Sequence, residues 1–184
     1  MIIKIEMENA NIVIIGAGII GLSIAAEISK NNDYVFVFEK NKMIGMETSS
    51  HNSGVIHSGI YYPKGSLEAN FSVKGRSMIY EICNKYNIPY KKLGKLIVAN
   101  GEGELKKLET LMKNGNDNGV TDTRMLDSIG ISKMEPAVKA EGALYIPATG
   151  IVEPNDLMNF FYAVASRNGA AVAFGTEVTG IRRI

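Results

Sequence analysis

Six residues near the start of the chain, Gly16-Ala17-Gly18-Ile19-Ile20-Gly21, constrain its fold more than any others, because they satisfy the spacing GxGxxG. Asn11-Ile12-Val13-Ile14-Ile15 precedes them, short, β-branched and apolar, as expected for a strand buried on both faces of a parallel sheet. After them the pattern turns helical from Ile19 to about Lys30, with Ile20, Ile24 and Ile28 on one stripe, and Tyr34-Val35-Phe36-Val37-Phe38 reads as a second strand. A glycine loop between a strand and a helix is the context in which this spacing holds a dinucleotide diphosphate. Gly16 permits the tight turn, Gly18 lets the diphosphate reach the backbone without meeting a Cβ, and Gly21 lets the helix pack closely on the sheet. The anion then meets unpaired amides at the positive end of the helix dipole. Glu39, at the end of the second strand, can accept hydrogen bonds from both ribose hydroxyls and would repel a 2′-phosphate, which disfavours NADP. The motif alone does not separate FAD from NAD.

The chain is long enough, at 184 residues with 46% apolar content, to bury a core in one domain or in one domain and part of another. Twenty basic and 19 acidic residues leave a net charge of +1, so no electrostatic footprint for nucleic acid or an anionic membrane is present. The single cysteine, Cys83, excludes an intrachain disulfide and a cysteine-rich metal site, and we expect no metal. The nearly uncharged run from Asn11 to Ser29 has the length of a membrane span, but its three glycines divide it into strand and helix, and no transmembrane segment is expected. Lys4-Ile5-Glu6-Met7-Glu8 is not a basic export-signal head. A cytoplasmic location follows, with peripheral attachment at the inner membrane face as a variant.

A polar stretch from Lys40 to Gly65, too long for an ordinary connection, reads as a functional loop. Helices are expected over Ser66 to Tyr86, Glu102 to Lys113, Asp127 to Met134, and Asn155 to Arg167 with Asn155 as its cap. Strands are expected at 95–99, entered through Gly94, and at 143–146, 170–174 and 177–184.

The loop itself carries the string His51-Asn52-Ser53-Gly54-Val55-Ile56-His57-Ser58-Gly59-Ile60-Tyr61-Tyr62, followed by Lys64-Gly65-Ser66-Leu67-Glu68-Ala69. This string closely resembles the L-2-hydroxyglutarate dehydrogenase/oxidase family within the D-amino-acid-oxidase-like flavoproteins. The resemblance continues through Ile88-Pro89-Tyr90, 94–99, Met134-Glu135-Pro136 and 147–152. It implies an α/β fold: a Rossmann-like FAD-binding βαβ domain with the beginning of an α+β substrate domain. On that reading residues 1–80 hold FAD, 81–165 belong to the substrate side, and 166–184 return to the FAD-binding domain, with a C-terminal half missing. The implied activity is oxidation of a small L-2-hydroxy acid to the 2-oxo acid by hydride transfer to flavin. FAD-dependent glycerol-3-phosphate dehydrogenase, amino-acid oxidase and a catalytically silent FAD-binding fragment are the alternatives. By the same resemblance the backbone at Val178 faces the adenine.

His51 and His57 are the only two histidines, and both fall in this loop. An imidazole can take the hydroxyl proton of a hydroxy acid near neutral pH, so His57 is the expected base and His51 a flavin contact with a second claim to chemistry. Thr48, Ser49, Ser50, Asn52 and Ser53 can supply donors to the diphosphate and the flavin ring, or satisfy the loop's own backbone. Lys40, Gly54 and Val55 complete the expected cofactor set. Tyr61 and Tyr62 can line a substrate pocket or anchor the loop on the core. Lys64, Lys74 and Arg76 read as solvated charge, leaving the guanidinium a dicarboxylate needs outside this chain. Strand edges left by 143–146 and 170–184 are expected to invite self-association.

Overall fold

The computed structural model describes residues 10–182; the Lys4–Glu8 segment weighed above as an export signal lies outside them, as does the end of the strand expected at 177–184. In chain order the elements are β1 (Ile12–Ile15), α1 (Ile19–Ile28), β2 (Val35–Glu39), β3 (Val55–Ile56), α2 (Leu67–Tyr86), β4 (Tyr90–Lys91) and β5 (Leu96–Ala99). There follow α3 (Glu102–Asp117), β6 (Arg124–Asp127), α4 (Ser128–Met134), β7 (Gly142–Tyr145), β8 (Gly150–Val152), α5 (Pro154–Arg167) and β9 (Ala171–Phe174). They fall into two compact units, one built from 10–52 together with 153–182, the other from 53–152.

In the first unit β1, β2 and β9 form a parallel sheet with β2 in the centre, in register Ile14 to Val37 and Val37 to Val172. Leu22, Ala25 and Ala26 of α1 and Met158 and Ala165 of α5 cover one face, over Val35 and Val37. Of the stripe Ile20, Ile24 and Ile28, only Ile28 meets the core; Ile20 and Ile24 are exposed, while small alanines turn inward. Ser23 and Glu27 share the outer face with Ile20 and Ile24, and the side whose alanines permit close approach packs inward. β1 is likewise not buried on both faces. Among the described residues it lies at the edge of the sheet, and only Ile12 and Ile14 meet the core, leaving Val13 and Ile15 about half exposed. β2 starts one residue later than expected because Tyr34 has φ of +59°, outside the β region.

In the second unit two antiparallel sheets form, β3-β8-β4 and β5-β7-β6. Leu105, Leu108, Leu111 and Met112 of α3 pack with Ile97, Ala99, Leu144 and Ile146. Ser66 caps α2, its hydroxyl accepting from the Ala69 amide at 3.1 Å, and Asp127 caps α4 through the Gly130 amide at 2.8 Å. In the first unit, Asn155 is not the cap of α5. Pro154 takes the first helical position, where its missing N–H costs nothing, and the Glu153 carboxylate accepts from the Asn155 amide. Residues 177–182 form no strand. Among the described residues no helix is long and apolar enough to cross a membrane.

Candidate functional site

The first unit carries a concave site of about 390 Å³ at the C-terminal ends of β1 and β2, where ligands of open parallel sheets bind. Its floor is the glycine turn. Gly16 has φ of +97°, and its amide donates to the Phe38 carbonyl at 2.8 Å, tying the turn to β2. Gly18 is the N-terminal cap residue of α1 and has no side chain to fill that role. Ser49 supplies it instead, its hydroxyl accepting from the Ile19 amide at 3.0 Å, and a Cβ on Gly18 would stand 2.8 Å from that oxygen. A Cβ on Gly21 would stand 2.0 Å from the Gly16 carbonyl oxygen. Gly21 therefore lies beneath the turn as packing and does not line the site.

Glu39 is almost fully buried, and both its oxygens are engaged. One accepts from the Ala17 amide at 2.7 Å, the other from the Asn41 amide at 2.8 Å. A carboxylate has lone pairs for further donors, so ribose hydroxyls can still be bound. The same side chain also holds the glycine turn in place, a role its spacing did not disclose.

The 40–52 segment closes another side. Gly45, at φ of +65°, donates its amide to the Ala17 carbonyl at 3.0 Å, which draws the segment onto the start of α1. Lys40 and Glu47 pair across it at 2.6 Å. Their hydrogen bond and mutual attraction hold the Lys40 ammonium above its usual range and the Glu47 carboxyl below its own. Thr176 donates its amide to the Glu39 carbonyl at 2.8 Å, bringing Glu177 and Val178 to the rim.

Of the expected cofactor residues, Gly16, Gly18, Glu39, Lys40, Thr48, Ser49 and Val178 line this one site. Ser50, His51 and Asn52 belong to the same unit but turn their polar groups on the loop itself. His51 Nδ1 lies 2.8 Å from the Glu47 carbonyl and 3.0 Å from the Ser50 hydroxyl, and Asn52 donates to the Ser49 carbonyl at 2.8 Å. Ser53, Gly54, Val55 and His57 lie in the second unit. There Gly54 accepts from the Val152 amide at 2.9 Å, Val55 pairs with Ile151, and His57 is exposed just beyond β3. Sequence reasoning passed over Asn41, Gly45 and Met46, which also line the site. Only the glycine, isolated in a polar loop, gave a signal.

A glycine turn without side chains, the N-terminal turn of α1 and an acidic group at the end of β2 suit a diphosphate and a ribose, and the volume suits the nucleotide half of a flavin dinucleotide. The sequence profile of the FAD dependent oxidoreductase family matches residues 11–184. The chain belongs to this family. FAD is the cofactor on which the family depends. The chain is 44% identical over 154 residues to the mitochondrial L-2-hydroxyglutarate dehydrogenase of Arabidopsis thaliana, covering 84% of this chain and 32% of that protein. It is 41% identical over 177 residues to the enzyme of the same name from Nematostella vectensis, covering 95% of this chain and 39% of that one. Among solved structures, the FAD-bound L-alpha-glycerophosphate oxidase of Mycoplasma pneumoniae superposes with a TM-score of 0.84 at 32% identity, covering 91% of this chain and 45% of that one. The chain thus spans between about a third and two-fifths of the length of these curated relatives. The cytoplasmic location expected from composition does not stand, because the relatives are named as mitochondrial proteins. Charge and cysteine usage do not distinguish two reducing compartments.

Proposed function

We propose that this chain forms the FAD-binding and first substrate-side part of an oxidoreductase that converts a small L-2-hydroxy acid of the 2-hydroxyglutarate type to the 2-oxo acid. The observation that carries this reading is 44% and 41% identity to two L-2-hydroxyglutarate dehydrogenases over most of the chain. Bound FAD would accept the hydride. The chain's own residues bind and orient: the glycine turn and the start of α1 face the diphosphate, Glu39 the ribose, Val178 the adenine, and Thr48 and Ser49 flank the diphosphate. Lys40 stands at the rim as a neutralising charge. His57 takes the hydroxyl proton on an imidazole nitrogen. Ser53, Gly54 and Val55 lead to it, and Ser50, His51 and Asn52 brace the flavin side of the loop. In place of the expected bounds 1–80, 81–165 and 166–184, the FAD-binding role falls to the unit of 10–52 with 153–182 and the substrate side to 53–152.

A second reading, oxidation of glycerol 3-phosphate, is favoured by the fold match to the glycerophosphate oxidase. Two measurements decide. Purified chain should bind FAD in a fluorescence titration, and anaerobic L-2-hydroxyglutarate should bleach the flavin where glycerol 3-phosphate and amino acids do not. We further propose that the 184-residue form self-associates and bleaches slowly unless the segment corresponding to the rest of its relatives is supplied. Bleaching by glycerol 3-phosphate alone would transfer the assignment to the second reading.

A further inference from the structure

Between the end of β3 at Ile56 and the start of α2 at Leu67 the chain has no ladder to satisfy its carbonyls, yet Ser58, Gly59 and Ile60 are buried. Buried carbonyls need partners. Asn114 on the last turn of α3 and Asn118, the residue that caps its C-terminus, meet most of that need. Asn114 Nδ2 donates to the Ile60 carbonyl at 2.7 Å and the Tyr62 carbonyl at 2.9 Å. Asn118 Nδ2 donates to the Gly59 carbonyl at 3.2 Å and the Tyr62 carbonyl at 2.8 Å. From α2, Arg76 Nη1 donates to the Ser58 carbonyl at 3.1 Å. Ile60 sits in the space left by Gly115, where a Cβ would approach it to 2.7 Å.

The two side chains at the ends of this braced backbone, His57 and Tyr61, are exposed. Lys95 bears on the second, its Nζ donating to the Tyr61 hydroxyl at 3.0 Å. Backbone buried and tied from two helices, with an imidazole and a phenol projecting from it, makes a rigid mount for functional groups. It also accounts for α3 itself. The helix continues through Asn114-Gly115-Asn116-Asp117, a sequence of poor helix formers. Asn114 in this run, with Asn118 just beyond it, is committed to the loop, and Gly115 admits Ile60.

We propose that Asn114 and Asn118, assisted by Arg76, are positioning residues that fix His57 and Tyr61 for the chemistry of the loop. The inference rests on the assignment of His57 as the base. With only two histidines in the chain, selective ¹³C labelling gives two imidazole signals, assigned by His51→Gln. In the Asn114→Leu/Asn118→Leu variant, which removes four donors without changing charge, the His57 signal should shift and broaden while that of His51 stays in place. Asn114→Ala, which keeps both bonds of Asn118, is the milder form and should move His57 in the same direction by less. A folded variant of either kind with an unmoved His57 signal overturns the proposal. Unaltered flavin bleaching in His57→Gln would instead remove the base from the mechanism and leave the imidazole result standing, so the two failures are distinct.

Discussion

Replacing Gly21 by alanine isolates the packing demand of the glycine turn from everything else it does. The added Cβ would lie 2.0 Å from the Gly16 carbonyl oxygen, 3.1 Å from the Gly16 carbonyl carbon and 3.4 Å from Ile14 Cγ2. Two of these are backbone atoms, which no side-chain rotation can clear. Ordinary contact begins near 3.4 Å, so α1 must withdraw by about 1.4 Å, taking Leu22, Ala25 and Ala26 out of register with β2 and α5. Overpacking of this kind costs about 1–3 kcal/mol. The better helix propensity of alanine returns about 1 kcal/mol, so the variant should be destabilised by up to about 2 kcal/mol. FAD affinity should fall further, since the helix start that faces the diphosphate moves with α1. Urea denaturation gives the first quantity and fluorescence titration with FAD the second. A folded Gly21→Ala chain with unchanged FAD affinity and equal or greater stability would refute the close-packing argument.

Glu39→Gln leaves either the buried Ala17 amide or the half-buried Asn41 amide facing an NH₂ group, so about 1–3 kcal/mol of stability should be lost even without FAD. A thermal midpoint equal to that of the parent would show that the carboxylate serves the ribose alone. The Glu47 carboxyl, lowered by Lys40, contributes stability that is present above its unfolded pKa and disappears as pH falls through its folded value. Lys40, raised by Glu47, contributes stability that is lost as pH rises through its folded value. Both groups are exposed, so NMR titration of Glu47 should show a depressed midpoint at low salt that returns to normal at high salt. Burial raises the Cys83 thiol, and a disulfide reagent at mildly alkaline pH should label it only on unfolding. Rapid labelling of the folded chain would contradict its burial on the inner face of α2.

The parts of this fold that could be read in advance are those where one local pattern has one outcome. GxGxxG after a β-branched run specifies a turn whatever surrounds it, and Ser66 and Asp127 cap helices by local hydrogen bonds. The misread parts depend on distant chain. Whether Ile20 or Ala25 faces inward is decided by α5, more than a hundred residues later. Asn114 and Asn118 look like helix breakers until the carbonyls of residues 59–62 are known to lie against them. The strands β4, β6 and β8 are two to four residues long and exist because of their partners. At the site, the spacing of Glu39 marked it as an acceptor. Its grip on the Ala17 amide depends on how the strand end and the turn meet in space.

The nucleotide site is assembled from the two ends of this sequence. β2, which carries Glu39, is completed by β9, and the amide of Thr176 secures the Glu39 carbonyl, while the whole of the second unit is encoded between them. During synthesis the N-terminal βαβ segment emerges first but cannot close its sheet until β9 has left the ribosome. The uninterrupted stretch 53–152 has all its sheet partners within itself and is free to fold earlier. Of the two units, the cofactor-binding one is therefore completed after the other, its slow, non-local pairing of β2 with β9 waiting on residues 171–174. In the interval, the apolar residues of β1, β2 and α1 lack their β9 and α5 partners and are exposed to aggregation.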